Sequence, residues 1–249
     1  MTMTDTPDPG FDVGAVARRA LPLLDLTDLS DTCTEAAIDR LCRDAREAGV
    51  AAVCVWPSFV AQAQGLLDRA PVRIATVINF PAGGEDVDRA VEDARAAIRH
   101  GAGEIDLVLP YRAFLRGDET LARDMVEAVR DICARTVLKV ILETGELPPE
   151  RVAEAGRLAL AAGADFLKTS TGKSPVSATP EAAEALLGVL AGAERKAGLK
   201  VSGGLRRVED AAVYLALADR RMGPGWATPA TFRLGASSLF GPLRAASGL

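Results

Sequence analysis

Short apolar segments alternate with amphipathic segments along almost the whole chain. Eight of them have the nearly continuous apolar character that is typical of parallel strands covered by helices. In chain order they read LPLLDLT, AAVCVW, VRIATVINF, EIDLVLP, TVLKVILET, DFLKTS, GLKVSG and FRLGAS. A segment with helical periodicity follows each one, so the pattern predicts eight repeats of one strand and one helix.

The helical pattern is clearest in TEAAIDRLCRDAREAG, where Asp and Arg occupy the face opposite an apolar stripe made by Ile38, Leu41, Cys42 and Ala45. Thr179 before Pro180 predicts a helix start, because a capping hydroxyl and a proline at the first helical position both favour one. The glycines in AGV, GAG, AGAD and AGL are predicted to close helices just before the next strand.

Eight alternating strands and helices predict an α/β protein with a single (β/α)8 TIM barrel. We assign residues 21–249 to this barrel as the catalytic domain and residues 1–20 to an N-terminal tail and lead-in helix. A doubly wound open sheet is the alternative. It usually requires a glycine-rich turn after the first strand, and LLDLTDLS has none.

Composition and charge indicate which binding partners and which cellular compartment to expect. The net charge of the 249 residues is −5 with both signs interspersed, so we expect no nucleic acid partner. Since no apolar run reaches the roughly 18 residues of a membrane span, and the polar N-terminus lacks signal-peptide features, we expect a cytoplasmic protein without membrane contact. The cysteines suit a reducing compartment, because none has C-x-x-C spacing: Cys33, Cys42, Cys54 and Cys133.

His100 is the only histidine. A His-rich zinc site, a Ser-His-Asp triad or a Cys-His pair would each depend on this one residue, so the sequence predicts no metal site. We interpret His100 as a cation at a helix C-terminus, where the helix dipole favours positive charge.

Polar residues fall near the ends of the predicted strands, where barrel enzymes carry their chemistry. We predict that they share one rim, with Asp25, Cys54, Asn79, Glu143 and Lys168 ending strands 1, 2, 3, 5 and 6, Asp106 and Lys200 within strands 4 and 7, and Gly235–Ser238 after strand 8.

The chain has only five lysines among 29 basic residues, and two fall on adjacent strands, Lys168 and Lys200. Arginine stays protonated in proteins, whereas a lysine made neutral by burial and by a second ammonium can attack a carbonyl. We predict that Lys200 lowers the pKa of Lys168 and that Asp106 lies across the barrel mouth as a general acid and base acting through a water. Lys139 is interpreted as structural.

Other interpretations remain open at this point. The lysines and Asp106 are also compatible with a buried ion network that only fills the barrel. An isomerase or epimerase of phosphosugars would use Asp106 and Asp25 as an acid–base pair. A phosphosugar-binding barrel without catalysis is a third class.

A phosphate site is predicted from SGGLR after strand 7 and GASS after strand 8, because barrels often bind phosphate there. The predicted phosphate contacts are Gly172, Lys173, Gly203, Gly204, Gly235, Ser237 and Ser238. The set of substrate-binding candidates is completed by Asp25, Thr27, Cys54 and Thr171. For Cys54 the alternative is a small buried apolar side chain.

The ordered motifs LLDLTDL, RIATVINFPAG, GAGEIDLVLPYRAFLRGD, LKVILETGEL, GADFLKTSTGK, ATPE, GLKVSGGLR and FRLGASS resemble the deoxyribose-phosphate aldolase family from about Leu21 to Leu239. The resemblance implies a class I aldolase that reversibly cleaves 2-deoxy-D-ribose 5-phosphate into acetaldehyde and D-glyceraldehyde 3-phosphate without a cofactor. Lys168 would then form the Schiff base, and Lys200 and Asp106 would exchange protons. The implied partners are a phosphorylated deoxysugar and small aldehydes, and a homodimer is the candidate assembly.

Two features depart from the family pattern. The family commonly has K-P-A-G-G at strand 7, whereas this chain has Lys200, Val201 and Ser202 before Gly203 and Gly204. The C-terminal GPLRAASGL also has no Tyr, His or acidic residue, so we expect no proton relay from it.

Overall fold

A closed barrel of eight parallel strands forms the centre of the structure, a computed structural model that describes residues 12–248. The strands follow one another around the barrel in chain order, and β1 pairs with both β2 and β8. They are β1 Leu24–Asp28, β2 Ala52–Val55, β3 Arg73–Ile78, β4 Glu104–Val108, β5 Val137–Ile141, β6 Phe166–Lys168, β7 Gly198–Ser202 and β8 Phe232–Ala236. The predicted TIM barrel is confirmed, and the open sheet is excluded.

Helices surround the barrel: α1 Val13–Ala20, α2 Glu35–Ala48, α3 Val60–Leu66, α4 Val87–Arg99, α5 Tyr111–Leu115, α6 Glu119–Ile132, α7 Pro149–Ala161, α8 Pro180–Ala191, α9 Val208–Met222 and α10 Phe240–Ser247. Single 3₁₀ turns occupy Leu21–Leu23, Pro57–Phe59 and Thr144–Glu146. The short α5 follows β4 and was not predicted. Residues 1–11, most of the predicted tail, lie outside the described residues, and the division at residue 20 stays a prediction.

Local sequence explains where the helices begin and end. In α2 the buried side chains Ile38, Cys42 and Ala45 belong to the predicted stripe. Thr179 accepts a hydrogen bond from the Ala182 amide, as predicted for the start of α8. The end of α8 was predicted wrongly: the helix stops at Ala191 before Gly192, and the glycine of AGL lies inside β7.

Successive side chains of a strand point to opposite faces of the sheet. The barrel strands therefore face an outer layer beneath the helices and an inner space within the barrel. Outward-facing side chains such as Ile105 and Leu107 in β4 join the apolar layer beneath the helices. The alternate positions of the same strands point into the barrel and include charged residues such as Asp106 on β4 and Lys200 on β7, both fully buried. Charge inside a barrel is stable only when it is paired, and these residues form the centre of the candidate site. In the part of the chain that is described, no helix is long and apolar enough to span a membrane.

Candidate active site

The predicted polar residues do not all lie on the rim. Lys168 ends β6, and Asp106 and Lys200 lie within β4 and β7, as predicted. Asp25 is the second residue of β1 and Cys54 the third of β2, so neither ends its strand as predicted. Asp25 and Cys54 were predicted too close to the ends of their strands. An apolar run in the sequence does not show at which residue the strand ends. These side chains therefore lie inside the barrel, below its mouth.

Three lysines meet at the carboxylate of Asp106. The Nζ atoms of Lys168 and Lys200 donate to the same oxygen, Oδ2, over 2.7 and 2.8 Å, and Lys139 Nζ donates to Oδ1 over 2.8 Å. Lys168 and Lys200 are direct partners in the β6–β7 register, so their predicted proximity is confirmed. The predicted position of Asp106 across the mouth is wrong, because it contacts both lysines directly without an intervening water.

The two lysines on Asp106 are not equivalent bases. Burial lowers the pKa of Lys168; the nearby Asp106 opposes this shift, and the charge of Lys200 adds to it. For Lys200 burial is outweighed by Asp106 and Asp25, which raise its pKa. Of the pair, Lys168 is therefore the amine that gives up its proton more readily. The predicted effect of Lys200 has the correct sign, although burial is the larger cause.

Asp106 is held as a carboxylate. Burial alone would favour its neutral form, but Lys139, Lys168 and Lys200 hold its pKa well below the usual range. A proton on this carboxyl is consequently costly, and Asp106 stays ionised as the shared acceptor of the three lysines.

A second layer of ion pairs lies deeper in the barrel, at the level of Glu104, two residues before Asp106 on β4. Lys139 Nζ lies 2.6 Å from Glu104 Oε2, and Arg233 bonds both Glu104, over 2.9 Å, and Asp25, over 2.6 Å. Lys200 Nζ lies 2.5 Å from Asp25 Oδ2, as a close ion pair rather than a directed hydrogen bond. Sequence reasoning missed Glu104 and Arg233, although the alternation of EID and FRLG places both on the inward face.

A cavity of about 640 Å³ opens at the carboxyl ends of β1, β6, β7 and β8. Its lining includes nine of the predicted binding residues: Thr27, Thr171, Gly172, Lys173, Gly203, Gly204, Gly235, Ser237 and Ser238. It also includes Ser202 and Arg206, whose motif SGGLR was singled out without assigning them a contact. Gly235 also leaves room for Lys200, because a Cβ at this position would come within 2.9 Å of Lys200 Cε.

Glu143, which lies just after β5, fixes the loop that follows β6. Glu143 accepts hydrogen bonds from the Thr171 amide over 3.1 Å and from its hydroxyl over 2.6 Å. The Thr171 hydroxyl oxygen in turn accepts the Lys173 amide over 3.0 Å. Glu143 itself has a φ of 54°, an uncommon left-handed conformation for a non-glycine residue. This arrangement positions Gly172 and Lys173 at the edge of the cavity.

Two predicted contacts lie away from the cavity lining. Asp25 is fully buried, and although burial opposes it, Lys200 and Arg233 hold its pKa below the usual range. Cys54 is also fully buried and packs with Leu29 and Val77. Burial raises the pKa of the Cys54 thiol, so it stays neutral, as the apolar interpretation implies.

The chain is similar to known aldolases over nearly all its length. Residues 19–231 match the model of the DeoC/LacD family aldolases. A curated deoxyribose-phosphate aldolase from Agrobacterium fabrum is 48% identical over 247 residues, covering 93% of this chain and 95% of that protein.

Solved structures agree with this match. A candidate deoxyribose-phosphate aldolase from Coccidioides immitis has a TM-score of 0.82 and 32% identity over 96% of this chain and 88% of its own. A comparable protein from Toxoplasma gondii has a TM-score of 0.88 and 26% identity, covering 95% and 97%. From its sequence match and its barrel, the chain belongs to the DeoC/LacD aldolase family.

Proposed function

We propose that this aldolase reversibly cleaves 2-deoxy-D-ribose 5-phosphate into acetaldehyde and D-glyceraldehyde 3-phosphate through a Schiff base on Lys168. The observation that carries the proposal is the lowered pKa of Lys168 beside a carboxylate that also binds Lys200. Only the neutral amine of lysine is a nucleophile, and a lowered pKa increases the neutral fraction at a given pH. The curated relative with 48% identity carries the same activity in its name, which supports the choice of substrate.

The covalent step begins at the aldehyde of the open-chain sugar. The neutral Lys168 amine adds to this carbonyl carbon, and the resulting carbinolamine loses water to give a protonated imine. The imine then draws electrons from the bond between sugar carbons 2 and 3 as the hydroxyl on carbon 3 loses its proton. Glyceraldehyde phosphate leaves, and the two-carbon enamine on Lys168 is protonated and hydrolysed to acetaldehyde.

Proton transfer in these steps is assigned to Asp106 and Lys200. Both lysine nitrogens already lie within hydrogen-bond distance of one Asp106 oxygen, so a proton moves between them without rearrangement. The raised pKa of Lys200 keeps it protonated in the resting site. Lys200 therefore supplies the positive charge that favours a neutral Lys168.

The substrate phosphate is assigned to the cavity beside these lysines. Gly203 and Gly204 line it with no side chain to shield their backbone, and Ser237 and Ser238 lie just before α10 and add hydroxyl donors. Lys173 and Arg206 bring positive charge to the same lining. The lining therefore offers the positive charge and the hydroxyl donors that bind a phosphate group.

An acid–base isomerase is less compatible with this site. Such an enzyme would require Asp25 to reach the substrate, but Asp25 is fully buried and paired with Lys200 and Arg233. Asp106 is likewise surrounded by three ammonium groups. Neither carboxylate is therefore placed to remove a proton from a sugar carbon directly.

The variant Lys168→Arg tests the covalent function. Arginine keeps the charge but stays protonated, so we expect turnover of the sugar phosphate to fall at least about 10⁴-fold, while inhibitor binding by inorganic phosphate changes little. Lys196→Arg, at an exposed lysine, is the matched control and should keep full turnover. Retained turnover in Lys168→Arg would contradict the Schiff-base mechanism.

A cytoplasmic homodimer completes the proposal. The four cysteines are all free thiols, which fits a reducing compartment. Val13 on α1 and Val213 on α9 are exposed apolar side chains on two neighbouring helices and offer a surface for a second copy. Light scattering of the purified protein tests the dimer, and a monomer mass would contradict it.

A further inference from the structure

The buried charges inside the barrel do not balance. Ion pairs of 4.0 Å or less join four cations and three carboxyl groups into one array that contains Asp25, Glu104, Asp106, Lys139, Lys168, Lys200 and Arg233. Each of these side chains is at least about nine-tenths buried. With every group ionised, the array carries one surplus positive charge, and an uncompensated buried charge is strongly unfavourable.

The surplus positive charge is assigned to Lys168 because this lysine contacts fewer carboxyl groups than the other three cations. Lys139 contacts Glu104 at 2.6 Å and Asp106 at 2.8 Å, and Lys200 contacts Asp25 at 2.5 Å and Asp106 at 2.8 Å. Arg233 also contacts two carboxyl groups. Among the described residues, Lys168 contacts only Asp106, through an oxygen that it shares with Lys200.

We propose that Lys139, Glu104 and Arg233 are positioning residues that fix the charge of the array at one cation in excess, so that Lys168 is the group that gives up its proton. This inference rests on the proposed role of Lys168 as the Schiff-base residue. The neutral amine leaves three cations with three carboxylates, which is the balanced state of the array. Activation of the nucleophile is thus a property of the whole barrel interior and not of the pair Lys168 and Lys200 alone.

The titratable groups inside the barrel with Lys139 of β5 come from six other strands. The charged groups come from β1, β4, β6, β7 and β8, and they are the remaining six members of the array. From β2 comes Cys54, whose thiol pKa is raised by burial, and the uncharged Ala75 and Val77 of β3 pack with Cys54. The charge of the interior is therefore set by the array itself.

Substitutions of opposite sign separate this proposal from a purely structural role. Lys139→Met removes one cation and thereby the excess of positive charge, so Lys168 should hold its proton more tightly. Glu104→Gln removes a carboxylate at nearly constant shape, so Lys168 should release its proton more readily. A loss of packing alone would not move the two variants in opposite directions.

The measurement is the pH dependence of adduct formation on Lys168. Each variant is incubated with acetaldehyde and sodium cyanoborohydride between about pH 5 and pH 10, and the ethylated lysine is quantified by mass spectrometry. We expect the midpoint to move up by about one to two pH units in Lys139→Met and down by a similar amount in Glu104→Gln. Lys139→Arg keeps the charge and should restore the wild-type midpoint.

Controls distinguish the ways in which the inference can fail. Lys196→Met removes an exposed lysine and should not shift the midpoint. If Lys139→Met does not fold, Arg233→Gln also removes a cation and should move the midpoint upward. The inference is overturned if the midpoint does not change in these variants. It is also overturned if the midpoint shifts in the same direction in Glu104→Gln as in Lys139→Met or Arg233→Gln. Wild-type protein that forms no adduct on Lys168 at any pH overturns the proposed function instead.

Discussion

Three lysine side chains share one carboxylate in the interior of this barrel, and their chemical roles differ because their other contacts differ. Lys139 and Lys200 each have a second carboxylate, whereas Lys168 has none among the described residues. Arginine at position 168 would form the same ion pair but keep its proton. The requirement for lysine therefore follows from a need for reversible deprotonation, not from a need for charge.

The hydrogen bonds of Glu143 should matter for both stability and binding. In Glu143→Ala the buried amide and hydroxyl of Thr171 lose their acceptor, so the free energy of unfolding should fall by about 1–3 kcal/mol. The loop that carries Lys173 should loosen, and inhibition by inorganic phosphate should weaken. Urea unfolding and inhibition measurements check both effects, and unchanged phosphate affinity would contradict the positioning role.

The sequence predicts Lys168 and Lys200 as neighbours because lysine is rare in this chain and the two residues lie in adjacent apolar strands. It does not predict the carboxylate that each lysine contacts, since register between distant strands decides this. Arg233 was missed for a related reason. In a chain with many surface arginines, one arginine in a strand carries little signal until its partners Asp25 and Glu104 are known.

At the scale of elements, two loops meet to shape the cavity. Gly203, after β7, lies against the loop that follows β6, and a Cβ at this position would come 2.6 Å from the Ser177 side chain. Its φ of 89° is also unfavourable for other residues. Close contact between the loops is therefore possible only with glycine at this position.

A pair of glycine variants tests this contact. Gly203→Ala and Gly204→Ala both place alanine at a positive φ, but a Cβ at Gly204 meets no atom within 4 Å. We expect Gly203→Ala to lower the affinity for inorganic phosphate about tenfold more than Gly204→Ala, which corresponds to about 1.4 kcal/mol. Titration calorimetry measures the difference, and equal affinities would show that the loop contact does not shape the site.

Element boundaries were predictable where local chemistry decides them. Thr179 and Pro180 define the start of α8, and Gly49 adopts a φ of 66° at the end of α2. The end of α8 was misplaced because Ala193–Lys196 continues a helix-like composition after Gly192. Helix α5 is only five residues long, too short for its periodicity to appear in the sequence.

At the scale of the whole molecule, the buried array couples folding to pH. The folded-state pKa values of Asp25 and Asp106 are lowered, so folding favours their ionised forms. Their contribution to stability is complete above the unfolded pKa of about 3.9 and is lost as the pH falls through the folded values. The barrel should consequently resist mild acid and lose stability below about pH 4.

Urea unfolding between about pH 7 and pH 3 measures this dependence. We expect nearly constant free energy of unfolding from these two groups down to about pH 5 and a loss of at least about 2 kcal/mol by pH 3. Asp106→Asn should show a smaller loss, whereas Asp131→Asn, at an exposed position, should follow the wild type. A flat profile down to pH 3 would show that the array does not stabilise the fold.

Covalent trapping identifies which lysine forms the Schiff base. The protein is treated with acetaldehyde and sodium borohydride, digested, and searched for ethylated lysine by mass spectrometry. We expect an ethyl group on Lys168 and none on Lys139 or Lys200. No adduct, or an adduct that forms on Lys200 in place of Lys168, would contradict it.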